Sequence, residues 1–259
     1  MTHVTARTTA APIADSVQAF TDTARLLKLA ANELRTAAPT AQVLVQHLDL
    51  SSLASVHAAA KSLRSTHPQV DLLINNAGVM YAPYLWDLLQ PTPASRVVTV
   101  SSAGHRMGGP IDFDDLDWHE RPYNRTAAYG HSKLANLLFT YELQRRLPDG
   151  GPLAVAAHPG GADTTGSKAA MSHSSWLTRT AFAAVRPLLL QSPAMGALSV
   201  LRAATDPQVS GGEYYGPRGF QQSKGHPEAV RSRPQSHDAE LQRQLWARSE
   251  ELTGVTFPV

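Results

Sequence analysis

Hydrophobic residues are distributed along the chain in two recurring patterns. Short runs that are almost wholly apolar predict buried parallel strands, and longer segments with apolar residues three or four positions apart predict amphipathic helices. The predicted strands are Ala41–Leu50, Val70–Ile74, Arg96–Val100, Leu153–Ala157 and Gly212–Tyr215. The predicted helices are Thr23–Ala38, a segment from Ser51 or Ser52 to about Ser65, Tyr129–Leu147, Pro193 to about Ala204, and a segment from Ser236 or Asp238 to Leu252.

This alternation of strands and helices predicts an α/β fold with a doubly wound parallel sheet that is covered on both faces. The sequence contains no internal repeat and no linker, so we expect a single domain over residues 1–259, with an atypical leader over residues 1–16. The polar stretch 217–236 contains proline and glycine and is predicted to be a surface loop.

Composition narrows the class of protein. Hydrophobic residues make up 42% of the 259 residues, which is enough to bury a core. The 23 Lys and Arg residues barely exceed the 21 Asp and Glu residues, and this balance argues against a nucleic-acid partner. There is no cysteine, so disulfides and thiolate zinc sites are excluded. No apolar run reaches the length of a transmembrane segment, and the first residues lack the apolar core of a secretory signal, so we expect a cytoplasmic protein.

Candidate chemistry lies at the carboxyl ends of the predicted strands, where α/β sheets bind ligands. The residues there are Asp49, Asn75 to Gly78, Ser101 with Ser102, and His158 to Gly160 with Thr164.

Tyr129 and Lys133 are four residues apart on a predicted helix and therefore share one face. A phenol is a weak acid, and a cation one helical turn away favours its ionised form. With a serine hydroxyl to hold a substrate oxygen, this trio would suit proton exchange with a carbonyl or an alcohol, while a cofactor would supply the hydride.

Five segments, in this order, resemble the short-chain dehydrogenase/reductase family. They are LDLSSLASV, DLLINNAGVM, RVVTVSSAGHRMG, AYGHSKLANLLFTYELQRRL and AAHPGGADT. The most similar branch is that of the retinol-dehydrogenase-like bacterial oxidoreductases, which GGEYYGPRGF and LWARSEELTGV also fit. The resemblance spans about residues 17–259. It implies a Rossmann-type sheet and an NAD or NADP cofactor.

The resemblance also implies a role for each matching residue. Tyr129 would be the general acid/base, Lys133 would favour its ionised form and hold the nicotinamide ribose, and Ser102 would position the carbonyl. Ser101 would be structural. The implied cofactor contacts are Asp49 and Leu50 at the adenine, Asn76, Ala77 and Gly78 at the adenosine ribose, Tyr129 and Lys133, and Pro159, Gly160 and Thr164 at the nicotinamide. No metal is implied, and the aspartates of residues 112–117 lack the pattern of a calcium loop.

Two parts of the family pattern are missing from the sequence. No glycine precedes Gly78, so the first strand and the glycine-rich turn that lets the backbone approach a pyrophosphate are absent. Between Pro83 and Leu88 the chain passes directly to the next strand, whereas family members have a further helix there with a catalytic asparagine and much of the dimer face. We therefore expect a fold that is incomplete at the first strand and around the fourth helix. Residues Val4–Thr9 alternate enough to offer a replacement strand.

The sequence thus predicts an NAD(P)-dependent oxidoreductase that interconverts an alcohol and a carbonyl on a small or lipophilic substrate by a Tyr/Lys/Ser mechanism. The expected partner is that small molecule, with no nucleic acid and no transmembrane segment. The alternatives are a catalytically inactive family member that acts as a binding or scaffold protein, and a truncated gene product. The missing phosphate loop favours these alternatives and argues against cofactor binding. The choice between NAD and NADP, the substrate and the oligomeric state stay open.

Overall fold

The computed structural model describes residues 29–50, 52–76, 82–161 and 190–259. The chain divides into two compact units, Met1–Asp49 and Leu50–Val259, each of which is described by itself. The single-domain organisation stays a prediction. The sequence-based predictions for Val4–Thr9, Ala77, Gly78 and Thr164 lie outside the described residues.

In the first unit, residues 29–37 are helical and fall within the predicted helix Thr23–Ala38. The predicted strand Ala41–Leu50 is wrong, because residues 42–49 have no regular secondary structure. Leu44 in the middle of this segment is 63% exposed. An apolar parallel strand is stable when helices cover both of its faces and a neighbouring strand satisfies its backbone. The described residues of this unit provide no such strand.

Five strands form one sheet in the second unit, and their order in the sheet is their order in the chain. They are β1 (Leu72–Asn75), β2 (Arg96–Val100), β3 (Leu153–Ala157), β4 (Tyr214–Pro217) and β5 (Pro227–Ala229). The first four strands are parallel, and β5 pairs with β4 in the antiparallel direction. The predicted α/β class with a doubly wound, Rossmann-type sheet is confirmed.

The prediction of a loop over residues 217–236 is wrong in part, because this stretch contains β5 and a 3-10 turn at Pro234–His237. Strand β5 has only three residues, begins with a proline, and leaves Glu228 and Ala229 exposed. It therefore has no apolar run by which a strand could be recognised, and its pairing with β4 depends on backbone hydrogen bonds.

Five helices accompany the sheet in the described part of the second unit. They are α1 (Leu53–Thr66), α2 (Trp86–Leu89), α3 (Arg125–Arg146), α4 (Pro193–Thr205) and α5 (Ala239–Thr253). Side-chain caps set the starts of all of them except α2, as for the Ser192 hydroxyl at α4, which accepts the N–H of Met195. Helix α3 begins four residues before the predicted Tyr129, since Asn124 caps it and its first turn has no apolar periodicity.

Alternate residues of the central strands pack on opposite faces of the sheet. Val97 and Ala154 lie in one buried cluster with Leu134 of α3. Val98 and Val155 lie in another with Ala203 of α4. All five residues of β2 are buried. Helices therefore cover both faces of the parallel strands, as their continuous apolar runs predict.

Strand β1 lies at the edge of the sheet, since within the described residues it pairs with β2 alone. Ile74 is 40% exposed. After residue 81 the chain forms only a 3-10 turn, Ala82–Leu85, and the four-residue α2 before β2 begins. Among the described helices, none is long and apolar enough to span a membrane.

Candidate active site

The strand register brings three of the predicted polar groups together at the carboxyl ends of the parallel strands. Asn75 of β1 is paired with Thr99 of β2, and Val100 is paired with Ala157 of β3. The carboxyl ends of these strands are therefore neighbours. Asn76, the Ser101–Ser102 pair and residues 158–160 follow them directly, at the position where open α/β sheets bind ligands.

The two serines after β2 have different environments. Ser101 is buried, and its hydroxyl donates to the carbonyl of Lys133 at 2.8 Å, which anchors α3 to the end of β2. Ser102 is half-buried, and its Oγ accepts the N–H of Gly104 at 3.0 Å. The Ser102 hydroxyl still has its own proton to donate. This difference agrees with a structural Ser101 and a chemically available Ser102.

Tyr129 and Lys133 lie one turn apart on α3, beside the loop that follows β2. The ring of Tyr129 packs against Gly104 and remains 45% exposed. Lys133 Nζ donates to the carbonyl of Val100 at 3.3 Å and lies 6.0 Å from the centre of the Tyr129 ring. Burial lowers the pKa of Lys133. The structure thus brings Tyr129 and Lys133 to the loop of Ser102.

Two glycines allow α3 to approach this loop closely, and sequence analysis did not single out either of them. A Cβ at Gly130 would lie 2.1 Å from the carbonyl oxygen of Met107, and a Cβ at Gly104 would lie 2.6 Å from Cε1 of Tyr129. Gly130 lies inside a helix, where glycine is unfavourable. A glycine in that position is the feature of the sequence that could have indicated the close approach.

The segment after β3 is held by its own backbone geometry. Gly160 has a φ of 68°, and a Cβ there would lie 2.4 Å from the carbonyl oxygen of Ser223, so both the conformation and the space require glycine. The side chain of Gln191 donates to the carbonyl of Pro159 at 2.8 Å. Pro159 and Gly160 are half-buried at the same sheet edge.

A buried aromatic cluster behind the serines was not predicted. The ring centres of His105 and Tyr214 are 5.7 Å apart, and those of Tyr214 and His158 are 5.1 Å apart. Burial lowers the pKa of His105 and of His158 to about 4 and raises the pKa of Tyr214. Both imidazoles are therefore neutral at physiological pH, and the cluster adds no charge behind the serines.

The other predicted cofactor residues that the structure describes are Asp49, Leu50 and Asn76. Asp49 belongs to the first unit. Leu50 lines an apolar cavity of about 220 Å³, together with side chains that include Val56, Tyr84 and Trp246. Asn76 follows β1 and is exposed. The roles of these residues stay predictions.

Two polar groups at the carboxyl ends of the strands have hydrogen-bonding capacity that a ligand could use. Asn75 is buried, and neither atom of its amide has a partner among the described residues. The ammonium of Lys133 has three donors, of which one is directed to Val100. A ligand with hydroxyl and amide groups could satisfy such atoms. Among the described residues, no group of three His, Cys, Asp or Glu side chains could hold a metal ion.

Comparisons with known proteins identify similar chains. A family model described as short chain dehydrogenase matches residues 4–109. Human retinol dehydrogenase 13 is 36% identical over 255 residues, which cover 88% of this chain and 74% of that protein. Mouse retinol dehydrogenase 14 is 33% identical, with 83% of this chain and 68% of that protein covered.

Solved structures show the same fold. A crystal structure of an uncharacterized protein from Mycobacterium Paratuberculosis has a TM-score of 0.63 and 35% identity, and it covers 88% of this chain and 83% of that chain. An NADPH-bound short chain oxidoreductase from Pseudomonas aeruginosa has a TM-score of 0.56 and 16% identity, covering 73% of this chain and 79% of that chain.

Proposed function

The chain belongs to the short-chain dehydrogenase family and is an NAD(P)-dependent oxidoreductase, and we propose that it interconverts an alcohol and a carbonyl compound at the edge formed by β1, β2 and β3. One observation carries this proposal. The exposed ring of Tyr129 is held against Gly104, two residues after Ser102 and one helical turn from Lys133. This grouping supplies a proton donor, a hydrogen bond to the substrate oxygen and a nearby cation.

Each residue has a separate task in the proposed reaction. In reduction, the Tyr129 hydroxyl gives its proton to the carbonyl oxygen, and in oxidation the phenolate takes the proton from the alcohol. The Ser102 hydroxyl donates to the same oxygen and stabilises the charge that develops there. The ammonium of Lys133 favours the phenolate by its charge. A bound nicotinamide dinucleotide supplies or accepts the hydride.

The proposed cofactor site has its nicotinamide end at Lys133, Tyr129, Pro159 and Gly160. We assign Asn76, Ala77 and Gly78 to the adenosine ribose, Asp49 and Leu50 to the adenine, and Thr164 to the carboxamide, following the family pattern. The solved NADPH complex with the same fold supports a nicotinamide dinucleotide as the class of cofactor.

The proposed substrate is a lipophilic alcohol or aldehyde. This proposal is supported by two relatives of the chain, human retinol dehydrogenase 13 and mouse retinol dehydrogenase 14, whose names indicate a lipophilic alcohol as substrate. All-trans-retinal and a straight-chain aldehyde such as nonanal are therefore the first compounds to test. The competing proposal is a catalytically inactive family member that acts as a binding or scaffold protein, and it is favoured by the absence of any glycine before Gly78.

Cofactor titration followed by a turnover assay separates the two proposals. NADH and NADPH are titrated while tryptophan fluorescence and the melting temperature are recorded, and reduction of retinal or nonanal is then followed by loss of NAD(P)H absorbance. We expect a shift with at least one cofactor, and turnover that Tyr129→Phe lowers by about 100-fold or more. Tyr123→Phe, which removes an exposed hydroxyl before the helix, is the matched control. No response at millimolar cofactor would exclude the enzyme for this chain, and binding without turnover would favour the competing proposal.

A further inference from the structure

A buried histidine joins the backbone of Ser102 to a distant segment of the chain. The Nδ1–H of His105 donates to the carbonyl of Ser102 at 2.6 Å, and its Nε2 accepts the backbone N–H of Arg233 at 3.1 Å. The histidine is completely buried. A carbonyl can only accept and a backbone amide can only donate, so the two partners together require the neutral tautomer with its proton on Nδ1.

The segment that His105 reaches, residues 231–233, is called the strap below. Two further hydrogen bonds fasten it to the loop that begins at Ser102. The guanidinium of Arg106 donates to the carbonyl of Arg231 at 2.9 Å, and the guanidinium of Arg233 donates to the carbonyl of Gly109 at 3.4 Å. The bond to His105 and the bond to Gly109 are partly buried, whereas the bond from Arg106 is exposed, and hydrogen bonds that are shielded from water are the costlier ones to lose.

The strap is also fixed to α3, the helix that carries Tyr129. The hydroxyl of Ser232 is 2.8 Å from the hydroxyl of Tyr141 and 2.7 Å from that of Ser236. The strap therefore has one set of contacts with the loop of Ser102 and another with the helix of Tyr129. A change in its position would alter the geometry between the proposed proton donor and the proposed substrate-binding serine.

The surroundings of His105 keep its imidazole neutral. Burial is the largest cause of its lowered pKa of about 4; the bond to Ser102 opposes the shift, and the cations of Arg106 and Arg233 add to it. The rings of Tyr214 and His158 pack on its other side, and His158 is also neutral at physiological pH. The imidazole is therefore neutral at physiological pH, and its two hydrogen bonds select the tautomer with the proton on Nδ1.

We infer that His105 is a positioning residue for the proposed reaction: by tying the Ser102 carbonyl to the strap, it holds the Ser102 hydroxyl in its place on the loop against which Tyr129 packs. The inference rests on the proposed function. His105 itself does not touch the reacting atoms, because both of its ring nitrogens are bonded to backbone. Its effect is transmitted through Ser102.

The test compares two replacements in the full chain. His105→Phe keeps a ring against Tyr214 but removes both hydrogen bonds, whereas His105→Gln offers an N–H and a carbonyl that can replace them in part. We expect His105→Phe to lower kcat by about tenfold and to raise the KM for the aldehyde, with the Kd of NADPH within about twofold of wild type. His105→Gln should recover most of kcat. His119→Gln, at an exposed histidine, should change neither constant.

Three outcomes would overturn the inference. The first is a kcat of His105→Phe within twofold of wild type, and the second is a loss of NADPH binding in parallel with kcat, which would mean general unfolding of the loop. The third comes from imidazole ¹⁵N NMR, which needs no turnover: at pH 7 we expect the proton of His105 on Nδ1, and a proton on Nε2 would contradict the bridge. If Tyr129→Phe keeps full activity, the proposed function fails, and the NMR result still reports on the bridge by itself.

Discussion

The ring of Tyr129 lies against the backbone of Gly104, so closely that a side chain at position 104 would overlap with the ring. A Cβ on Gly104 would come within 2.6 Å of Cε1 and 3.1 Å of Cδ1 of the tyrosine. A side chain at position 104 would therefore displace the phenol outwards, since Gly130 already brings the helix into close contact with the carbonyl of Met107. The direction of the phenol is therefore set by the absence of a side chain at position 104.

Gly104→Ala should accordingly displace the phenol and impair proton transfer. We expect kcat to fall by about 100-fold, because a shift of about 1 Å in a reacting group has effects of this size. Binding of NADPH should change less than kcat, since Lys133, Pro159 and Gly160 of the proposed cofactor site are not replaced. Steady-state kinetics and a fluorescence titration measure the two effects. Ser132→Thr adds a methyl group at an exposed position of the same helix and is the control; equal losses in both variants would contradict the packing argument.

Replacement of Lys133 should impair the reaction. Lys133→Met removes the cation 6.0 Å from the centre of the Tyr129 ring, together with the hydrogen-bond donor at the carbonyl of Val100. We expect a fall in kcat of about tenfold at pH 7, measured by steady-state kinetics. Lys133→Arg keeps the charge and should retain more of the wild-type kcat. A kcat of Lys133→Met within twofold of wild type would exclude this role for the lysine.

The parts of the site that follow a regular pattern could be predicted from the sequence. Strand β2 is a continuous apolar run, and the structure places it at the predicted residues, Arg96–Val100. The serines directly after it therefore lie where expected. The spacing of Tyr129 and Lys133 likewise puts them on one helix face. These predictions succeed because a period of two or of 3.6 residues is a local property of the sequence.

Contacts between distant segments could not be predicted in this way. The bond between His105 and Arg233 joins residues 128 positions apart, and the three-residue β5 exists because β4 offers it a backbone to pair with. The strand predicted at Ala41–Leu50 failed to form for the converse reason, since it lacks the partner strand that β5 has. Its side chains are suited to a sheet, but in the described part of its unit no strand lies beside it, and tertiary context overrides such a preference.

The two buried imidazoles should make the protein sensitive to mild acid. His105 and His158 each have a pKa of about 4 in the folded protein, against about 6.5 in an unfolded chain, chiefly because burial penalises the charged ring. Below pH 6.5 the unfolded state therefore binds more protons, and stability falls as the pH decreases towards 4. Each histidine therefore lowers the free energy of unfolding as the pH decreases through this window, and this penalty is absent above pH 6.5.

Urea unfolding between pH 7.5 and 4.5 measures this dependence. His158→Gln lacks a group that titrates in the window, so its free energy of unfolding should fall less steeply with decreasing pH than that of the wild type. His119→Gln should keep the wild-type slope, since His119 is exposed. A wild-type slope in His158→Gln would show that the buried imidazole is not the group responsible.

The open edge of β1 should promote aggregation of the folded protein. In the part of the chain that the structure describes, β1 has a partner strand on one side only, and Ile74 on this strand is 40% exposed. An edge with an apolar side chain is a template for pairing with a second chain, and a charged residue prevents such pairing. Ile74→Lys should therefore slow aggregation at 37 °C while changing the free energy of unfolding by no more than about 0.5 kcal/mol.

Light scattering measures the rate of aggregation of Ile74→Lys, and urea unfolding measures its stability. Leu201→Lys is the matched control, because Leu201 is 50% exposed but lies on α4, where no strand edge is available. If both variants slow aggregation equally, exposed apolar surface in general is responsible and the edge of β1 has no special part in it.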